Sequence, residues 1–274
     1  MGGRRNAEPR WDSDQYLKFA EERTLPSRDL AGRIALTAPA WIVDLGCGPG
    51  TSTAVLRARW PAAQVTGVDR SSEMLAEARL NDPSVHWVAE DLLRWEPGRR
   101  FDLVFSNAAL HWVPDHPRTL RRFWGWVEAG GAFAFQVPAT HDPPAGFREA
   151  LGEVTRRDPF RAALEGVKGS AGVLSLAEYY DLFSEEASRV DLWDTEYVHV
   201  LAAPSEIVEW VKGTSLRPYL GALPTGEVRA AFLREYAGEV ERRYPPRADG
   251  RVLFPFLRRF VIAYRGTVPG RVQR

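Results

Sequence analysis

Residues 41–56 read WIVDLGCGPGTSTAVL and combine three features that indicate a fold. An apolar run ends at Asp44, three glycines follow at alternate positions (Gly46, Gly48 and Gly50), and the remainder has helical spacing. A short apolar run joined to a helix by a glycine-rich turn is typical of nucleotide-binding α/β proteins. Such a turn holds either a phosphate or a nucleoside without phosphate, and these two ligands imply different chemistry.

The alternation of strand and helix continues outward from this stretch. Predicted strands cover residues 41–45, 64–69, 85–88, 101–106 and 131–138, and predicted helices cover 51–60, 71–80 and, after Pro114, most of 110–127. Strands separated by helices form βαβ units, and their right-handed crossovers build a doubly wound, Rossmann-like parallel sheet. The sequence therefore predicts an α/β fold.

The second half of the chain changes character. Residues 175–187 have helical periodicity, 189–201 alternate as a strand does, and 253–266 end in another strand. The residues between these two strands are mostly helix-like. We predict a single domain over 1–274, with a sheet core at 30–200 and 251–268 and a helical substrate insertion at 202–250.

Composition restricts the function classes. The 274 residues include 36 Lys and Arg and 36 Asp and Glu, so the formal net charge is zero and no global charge favours nucleic acid or an anionic membrane. Cys47 is the one cysteine, which excludes an intrachain disulfide.

The chain shows no signal-peptide core and no long apolar run. We therefore expect a soluble, cytoplasmic protein. The five histidines are scattered, so no metal site is expected.

The acid before the glycines indicates the ligand. The turn lacks the G-x-G-x-x-G spacing of dinucleotide sites, and a carboxylate at Asp44 would repel a pyrophosphate on the helix N-terminus. A carboxylate attracts an ammonium or a sulfonium, and glycines let the backbone approach closely. S-adenosylmethionine carries both cations, a ribose and an adenine. We therefore expect it to bind here.

Further polar residues follow the predicted strands at the right spacing. Asp69 could accept both ribose hydroxyls, Asp91 the adenine amino group, and Asn107 would lie near the methionine part. Each has a structural alternative, and Met74 could be a core residue instead of a wall for the adenine. The predicted cofactor-binding set is Asp44, Gly46, Cys47, Gly48, Asp69, Arg70, Met74, Asp91, Leu92 and Asn107. Cys47 is expected to be packed rather than nucleophilic.

These segments resemble a known family. VDLGCGPG, GVDRSSEML, EDL and FSNAALHWVPDH resemble class I S-adenosylmethionine-dependent methyltransferases. YLKFAEER near the start and SLRPYL late in the chain narrow the resemblance to the trans-aconitate 2-methyltransferase family. The resemblance implies a seven-stranded sheet with its last strand antiparallel, and methyl esterification of a small carboxylic acid with S-adenosylhomocysteine as the second product. We expect the helical insertion to form a lid.

A carboxylate acceptor is already ionised at neutral pH, so no general base is expected. Its other carboxylates need cations, and arginine binds a carboxylate bidentately. The predicted acceptor-binding set is Arg217, Tyr219, Tyr16, Arg23, His111 and Trp112, with an N-terminal lid at 11–29. The segment VPATHDPPAG and Tyr219 depart from the family pattern, which leaves the identity of the acid open.

Three alternatives stay open on sequence grounds. The acceptor could be another small acid or a natural product. The same fold also serves nicotinamide-dependent oxidoreductases, although Asp44 and the missing G-x-G-x-x-G disfavour that class. A non-catalytic S-adenosylmethionine-binding module is the third alternative.

Overall fold

The structure is a computed structural model that describes residues 20–140, 146–167, 169 and 172–266. The described residues fall into two compact units. The sheet unit comprises residues 20–139, 172–196 and 257–266. The helical unit comprises the described residues within 140–169, together with 197–256.

Seven strands form one sheet. They are β1 (Trp41–Leu45), β2 (Gln64–Asp69), β3 (His86–Ala89), β4 (Phe101–Asn107), β5 (Val127–Pro138), β6 (Ala187–Leu201) and β7 (Val252–Arg265). The order is β3-β2-β1-β4-β5-β7-β6. Strands β1 to β5 pair in parallel, and β7 runs antiparallel to β5. The predicted α/β class, with seven strands and an antiparallel last strand, is confirmed.

Helices connect the strands. They are α1 (Ala20–Arg33), α2 (Thr51–Arg59), α3 (Ser72–Asn81), α4 (His116–Trp124), α5 (Phe147–Val154), α6 (Arg161–Leu164), α7 (Leu176–Phe183), α8 (Pro204–Lys212), α9 (Arg217–Ala222) and α10 (Gly226–Arg243), with one 3₁₀ turn at Leu110–Trp112. Helices α8, α9 and α10 occupy the predicted insertion between β6 and β7.

Capping side chains determine where several helices begin. The Ser71 hydroxyl accepts a hydrogen bond from Met74 N at 3.3 Å and caps α3. Ser175 and Glu178 form a reciprocal capping box at the start of α7. Each cap satisfies backbone N–H groups that have no partner within the helix. These helices therefore begin close to the positions that the sequence predicts.

The structure differs from the sequence prediction around β4 and β5. The predicted helical stretch 110–127 is a 3₁₀ turn followed by α4, which ends at Trp124 with Gly125 as its C-cap. Strand β5 starts at Val127, four residues before the predicted residue 131, because Val127 pairs with Phe101 of β4. Long-range pairing extends the strand through glycines that weaken the local strand signal.

Each unit has its own hydrophobic core. In the sheet unit, Val43, Val104 and Phe133 from three adjacent strands are fully buried against aromatic residues of α4 and α7. In the helical unit, Phe147 stacks on Phe256 with centroids 5.6 Å apart, among side chains from α5, α8 and α10.

The unit boundaries differ from the bounds predicted for the domain. The prediction placed residues 30–200 in the sheet core, but the described part of 140–169 belongs to the helical unit. The physical reason is that the buried face of α5 packs in the helical core. Of the predicted lid at 11–29, the structure describes residues 20–29, which form part of α1 in the sheet unit. Among the described helices, none has the length and apolar character needed to cross a bilayer.

Candidate active site

Asp44 ties the glycine turn to helix α2. It is fully buried, and its Oδ2 accepts hydrogen bonds from the hydroxyls of Ser52 at 2.6 Å and Thr53 at 2.7 Å. Its Oδ1 accepts no hydrogen bond from the described residues. Burial raises the pKa of Asp44 to about 6, although the two hydroxyls oppose the shift. Asp44 thus fixes the first turn of α2 through Oδ2, while Oδ1 keeps its capacity to accept a hydrogen bond.

The glycine turn leaves open space at its centre. A Cβ on Gly46 would lie 2.3 Å from the Cβ of Ala109, so that glycine is required by packing. Gly48 has a φ of +54°, and a Cβ there would meet nothing within 4 Å. A turn that combines left-handed backbone with open space lets a ligand approach the main chain closely. Cys47 is buried between them, and burial raises the pKa of its thiol, so it is not a thiolate nucleophile.

Asp69 links the ends of β1 and β2. Its Oδ2 accepts from Gly48 N and its Oδ1 from Ser71 N, both at 2.9 Å. A carboxylate offers about four acceptor positions, so each oxygen can still accept from a ligand hydroxyl. The side chain is half-buried at the carboxyl edge of the sheet. The structure therefore brings together Gly48 and Asp69, as the sequence predicts.

The other predicted cofactor residues lie at neighbouring positions of the sheet unit. Asp91 Oδ1 accepts from Leu93 N at 2.8 Å in the turn after β3. Met74 is buried on α3, Leu92 is half-buried and Arg70 is exposed. Burial of Met74 agrees with the alternative that it is a core residue. Its contact with an adenine remains a prediction.

Two amides lie in register near the carboxyl ends of β4 and β5. Asn107 and Gln136 are register partners, Asn107 Oδ1 is buried without a hydrogen bond, and Gln136 is fully buried with neither side-chain atom bonded to any described residue. Burying one such group costs about 1–3 kcal/mol. Gln136 was missed from the sequence, although one amide inside the apolar run GAFAFQVP was a usable signal.

The remaining predicted acceptor residues are spread over both units. In the sheet unit, His111 is buried, Trp112 is 38% exposed beside it, and Arg23 is buried on α1. In the helical unit, Arg217 begins α9 and Tyr219 is half-buried on the same helix. Tyr16 lies outside the described residues.

Arg148 is a further cation of the helical unit that the sequence analysis missed. It is half-buried on α5, its guanidinium lies 5.3 Å from the centre of the Phe147 ring, and it interacts electrostatically with Tyr236 and Tyr219. Burial lowers its pKa. No described carboxylate forms an ion pair with it, and the flanking Glu149 is bound by Arg243 instead. An anion would therefore be stabilised beside Arg148.

These features fit S-adenosylmethionine. Open backbone at Gly48, spare acceptor positions on Asp69 and the unbonded Oδ1 of Asn107 match a nucleoside that carries an ammonium. No group of three or more His, Cys, Asp or Glu residues suited to a metal ion occurs in the described ranges. Fold and site together define a class I, S-adenosylmethionine-dependent methyltransferase.

Comparison with known proteins gives the particular family. A family model described as a methyltransferase domain matches residues 42–131. Proteins named trans-aconitate 2-methyltransferase are 46% identical over 94% of this chain and all of the relative in Azoarcus, and 43% identical over 93% and 99% in Rhodopseudomonas palustris. The relative of that name in Yersinia pseudotuberculosis is 40% identical over 93% of this chain and 98% of its own length. The chain belongs to the trans-aconitate 2-methyltransferase family.

Solved structures agree on the fold. The YcgJ protein of Bacillus subtilis has a TM-score of 0.56 at 18% identity, covering 89% of this chain and all of its own. A phosphoethanolamine N-methyltransferase of Haemonchus contortus has a TM-score of 0.55 at 16% identity, covering 92% of this chain and 58% of its own. Similarity at this level concerns the sheet and its helices.

Proposed function

We propose that this protein transfers a methyl group from S-adenosylmethionine to a carboxylate of trans-aconitate. The observation that carries the proposal is the 46% identity, over 94% of the chain, to a relative named trans-aconitate 2-methyltransferase. A second candidate acceptor is another small carboxylic acid or natural product, because VPATHDPPAG and Tyr219 depart from the expected family pattern. We place the enzyme in the cytoplasm, acting on small molecules.

The cofactor would be held at the carboxyl edge of β1 to β4. When bound, S-adenosylmethionine supplies a methyl group on a sulfonium, and displacement by a carboxylate oxygen leaves a methyl ester and a neutral thioether. Asp69 would accept from the ribose hydroxyls, and Asn107 from the ammonium. The other residues proposed to bind it are Asp44, Gly46, Cys47, Gly48, Arg70, Met74, Asp91 and Leu92.

The acceptor requires orientation and charge compensation, because a carboxylate with a pKa near 4 is already ionised. We assign no general base, and His111 and Trp112 would line the acceptor position. Arg217, Tyr219, Arg23 and Tyr16 are proposed to bind its remaining carboxylates. The unpaired guanidinium of Arg148, which interacts with Tyr219, supports carboxylate binding by the helical unit. A lid role for residues 11–29 and for the insertion at 202–250 remains part of this proposal.

The test is a panel of acids incubated with the purified protein and S-adenosylmethionine. The panel contains trans-aconitate, cis-aconitate, citrate and several dicarboxylates, and products are separated by liquid chromatography and identified by mass spectrometry. We expect a monomethyl ester of trans-aconitate together with S-adenosylhomocysteine. Faster turnover of another acid would identify that acid, instead of trans-aconitate, as the preferred acceptor. If calorimetry shows that the cofactor binds but no acid of the panel is converted to an ester, the result would instead support a non-catalytic S-adenosylmethionine-binding module.

A further inference from the structure

Gln136 has a hydrogen-bonding requirement that the described part of the chain does not meet. Its side chain is 0% exposed, and neither Oε1 nor Nε2 has a partner. The main-chain carbonyl of the same residue is satisfied, because Gln136 O accepts from Ala108 N at 2.9 Å. The unmet requirement is that of the side-chain carboxamide. Buried polar groups in native proteins are normally paired, so this one points to a ligand.

The side chain points away from the main core of the sheet unit. Phe133, Phe135 and Val137 of β5 pack in that core, and alternate residues of a strand face opposite sides, so Gln136 lies on the other face. There it pairs in register with Asn107 of β4, whose Oδ1 is also unbonded. Two neighbouring strands thus carry register-paired amides with unused hydrogen-bonding atoms near their carboxyl ends.

The strand order indicates which ligand the side chain of Gln136 contacts. Asp69 ends β2, Gly48 follows β1 and Asn107 ends β4, and these are the residues proposed to bind the cofactor from its ribose to its ammonium. Gln136 lies on the next strand, about 4.8 Å further along the sheet. We propose that Gln136 binds the acceptor, with Nε2 donating a hydrogen bond to the oxygen of the reacting carboxylate that does not attack the methyl group. This inference rests on the proposed function.

A carboxamide suits this position chemically. One hydrogen bond distinguishes the two oxygens of the acceptor carboxylate and fixes its plane, so that the other oxygen is presented to the methyl group. A neutral donor withdraws less charge from the attacking oxygen than a guanidinium would. Gln136 would thereby orient the reacting carboxylate.

The test compares Gln136→Met with Thr119→Val. Methionine keeps the length of the side chain and removes both polar atoms. We expect kcat/KM for trans-aconitate to fall at least tenfold, S-adenosylhomocysteine affinity to stay within twofold, and the melting temperature to be unchanged or higher. Thr119 is also buried, but its hydroxyl donates to Pro114 O at 2.9 Å. Thr119→Val should lower the melting temperature and leave kcat/KM within twofold.

A third variant separates hydrogen bonding from shape. Gln136→Glu has nearly the same shape but loses the amide donor and repels a carboxylate, so we expect kcat/KM at or below that of Gln136→Met. Near wild-type kcat/KM in either variant would overturn the inference. So would a tenfold loss of S-adenosylhomocysteine affinity with an unchanged acceptor KM, which would assign Gln136 to the cofactor. If the wild-type protein methylates no acid, the proposed function fails first and this inference fails with it.

Discussion

The two units of this protein use their acidic residues differently. In the sheet unit, Asp69 is half-buried, and its oxygens accept one main-chain hydrogen bond each, so acceptor positions remain. In the helical unit, Glu239 is 2% exposed and is bound by the guanidinium groups of Arg157, Arg242 and Arg243. An acid with acceptor positions left over is available to a ligand, whereas an acid surrounded by arginines serves stability.

Cations of the helical unit show the same contrast. Arg243 binds three carboxylates, those of Glu149, Glu153 and Glu239. Arg148, on the same helix as two of these acids, forms an ion pair with none of the described carboxylates. Paired arginines hold α5 and α10 together, while Arg148 is available for an anion.

The largest effect is expected at Asp69. Asp69→Ala removes the acceptors proposed for the ribose and the restraint on Gly48. Charge-assisted hydrogen bonds are worth about 1.5–3 kcal/mol each, so the Kd for S-adenosylhomocysteine, measured by calorimetry, should rise about 100-fold. Asp82→Ala is the matched control, because that acid also binds a serine but lies beyond the end of α3. A Kd within threefold of wild type for Asp69→Ala would remove it from the site.

Arg148 should affect the acceptor and spare the cofactor. Arg148→Met removes one charge-assisted contact to a carboxylate, so the KM for trans-aconitate should rise about 10- to 30-fold while the S-adenosylhomocysteine Kd stays unchanged. The control is Arg156→Met, an exposed arginine just beyond α5. An unchanged KM in Arg148→Met would mean that its missing ion pair has no functional role.

Glu239 should matter for stability alone. Burial by itself raises the pKa of Glu239, but hydrogen bonds from Arg157 and Arg243 outweigh it and lower the pKa to about 2. A lowered folded-state pKa gives stability that is present above the ordinary value of 4.5 and lost as the pH falls toward 2. Glu239→Gln should therefore lower the melting temperature at pH 7 by several degrees and flatten its decline in acid. Glu235→Gln, which affects a half-exposed acid bound by Arg157, should have a smaller effect. A raised KM for trans-aconitate in Glu239→Gln, with an unchanged melting temperature, would contradict the assignment of Glu239 to stability alone.

The smallest effect is expected at Asp44. Its pKa is raised to about 6, from an ordinary value of 3.8, mainly by burial. The folded state therefore holds a proton that the unfolded chain releases, so this group favours folding more as the pH falls from 7 toward 4. Asp44→Asn keeps an oxygen for Ser52 and Thr53 but cannot titrate. The melting temperature of wild type relative to Asp44→Asn should rise by a few degrees over that range, and parallel curves would contradict the raised pKa.

The sheet, and the position of Asp69 beside the glycine turn, could be predicted from the sequence. Apolar strands and helix caps are local signals, and the spacing from Gly48 to Asp69 reflects one strand–helix–strand unit. The contact of Gly48 N with Asp69 is the result of that spacing.

The helical unit could not be delimited from the sequence in the same way. Phe147 joins its core by packing against Phe254 and Phe256, which lie about a hundred residues away in the sequence. Arg148 was missed because a sequence does not show which arginine lacks a carboxylate partner. Gln136 was missed because its amide, although it stands out within the apolar run, does not show by itself whether it has a hydrogen-bond partner.

The most direct measurement is a single-turnover reaction with S-adenosylmethionine that carries a deuterated methyl group, in the presence of trans-aconitate. We predict that the label appears in a monomethyl ester of the acid in equal amount to S-adenosylhomocysteine, and that base treatment releases it as methanol. Bound cofactor that produces no labelled ester would contradict the account.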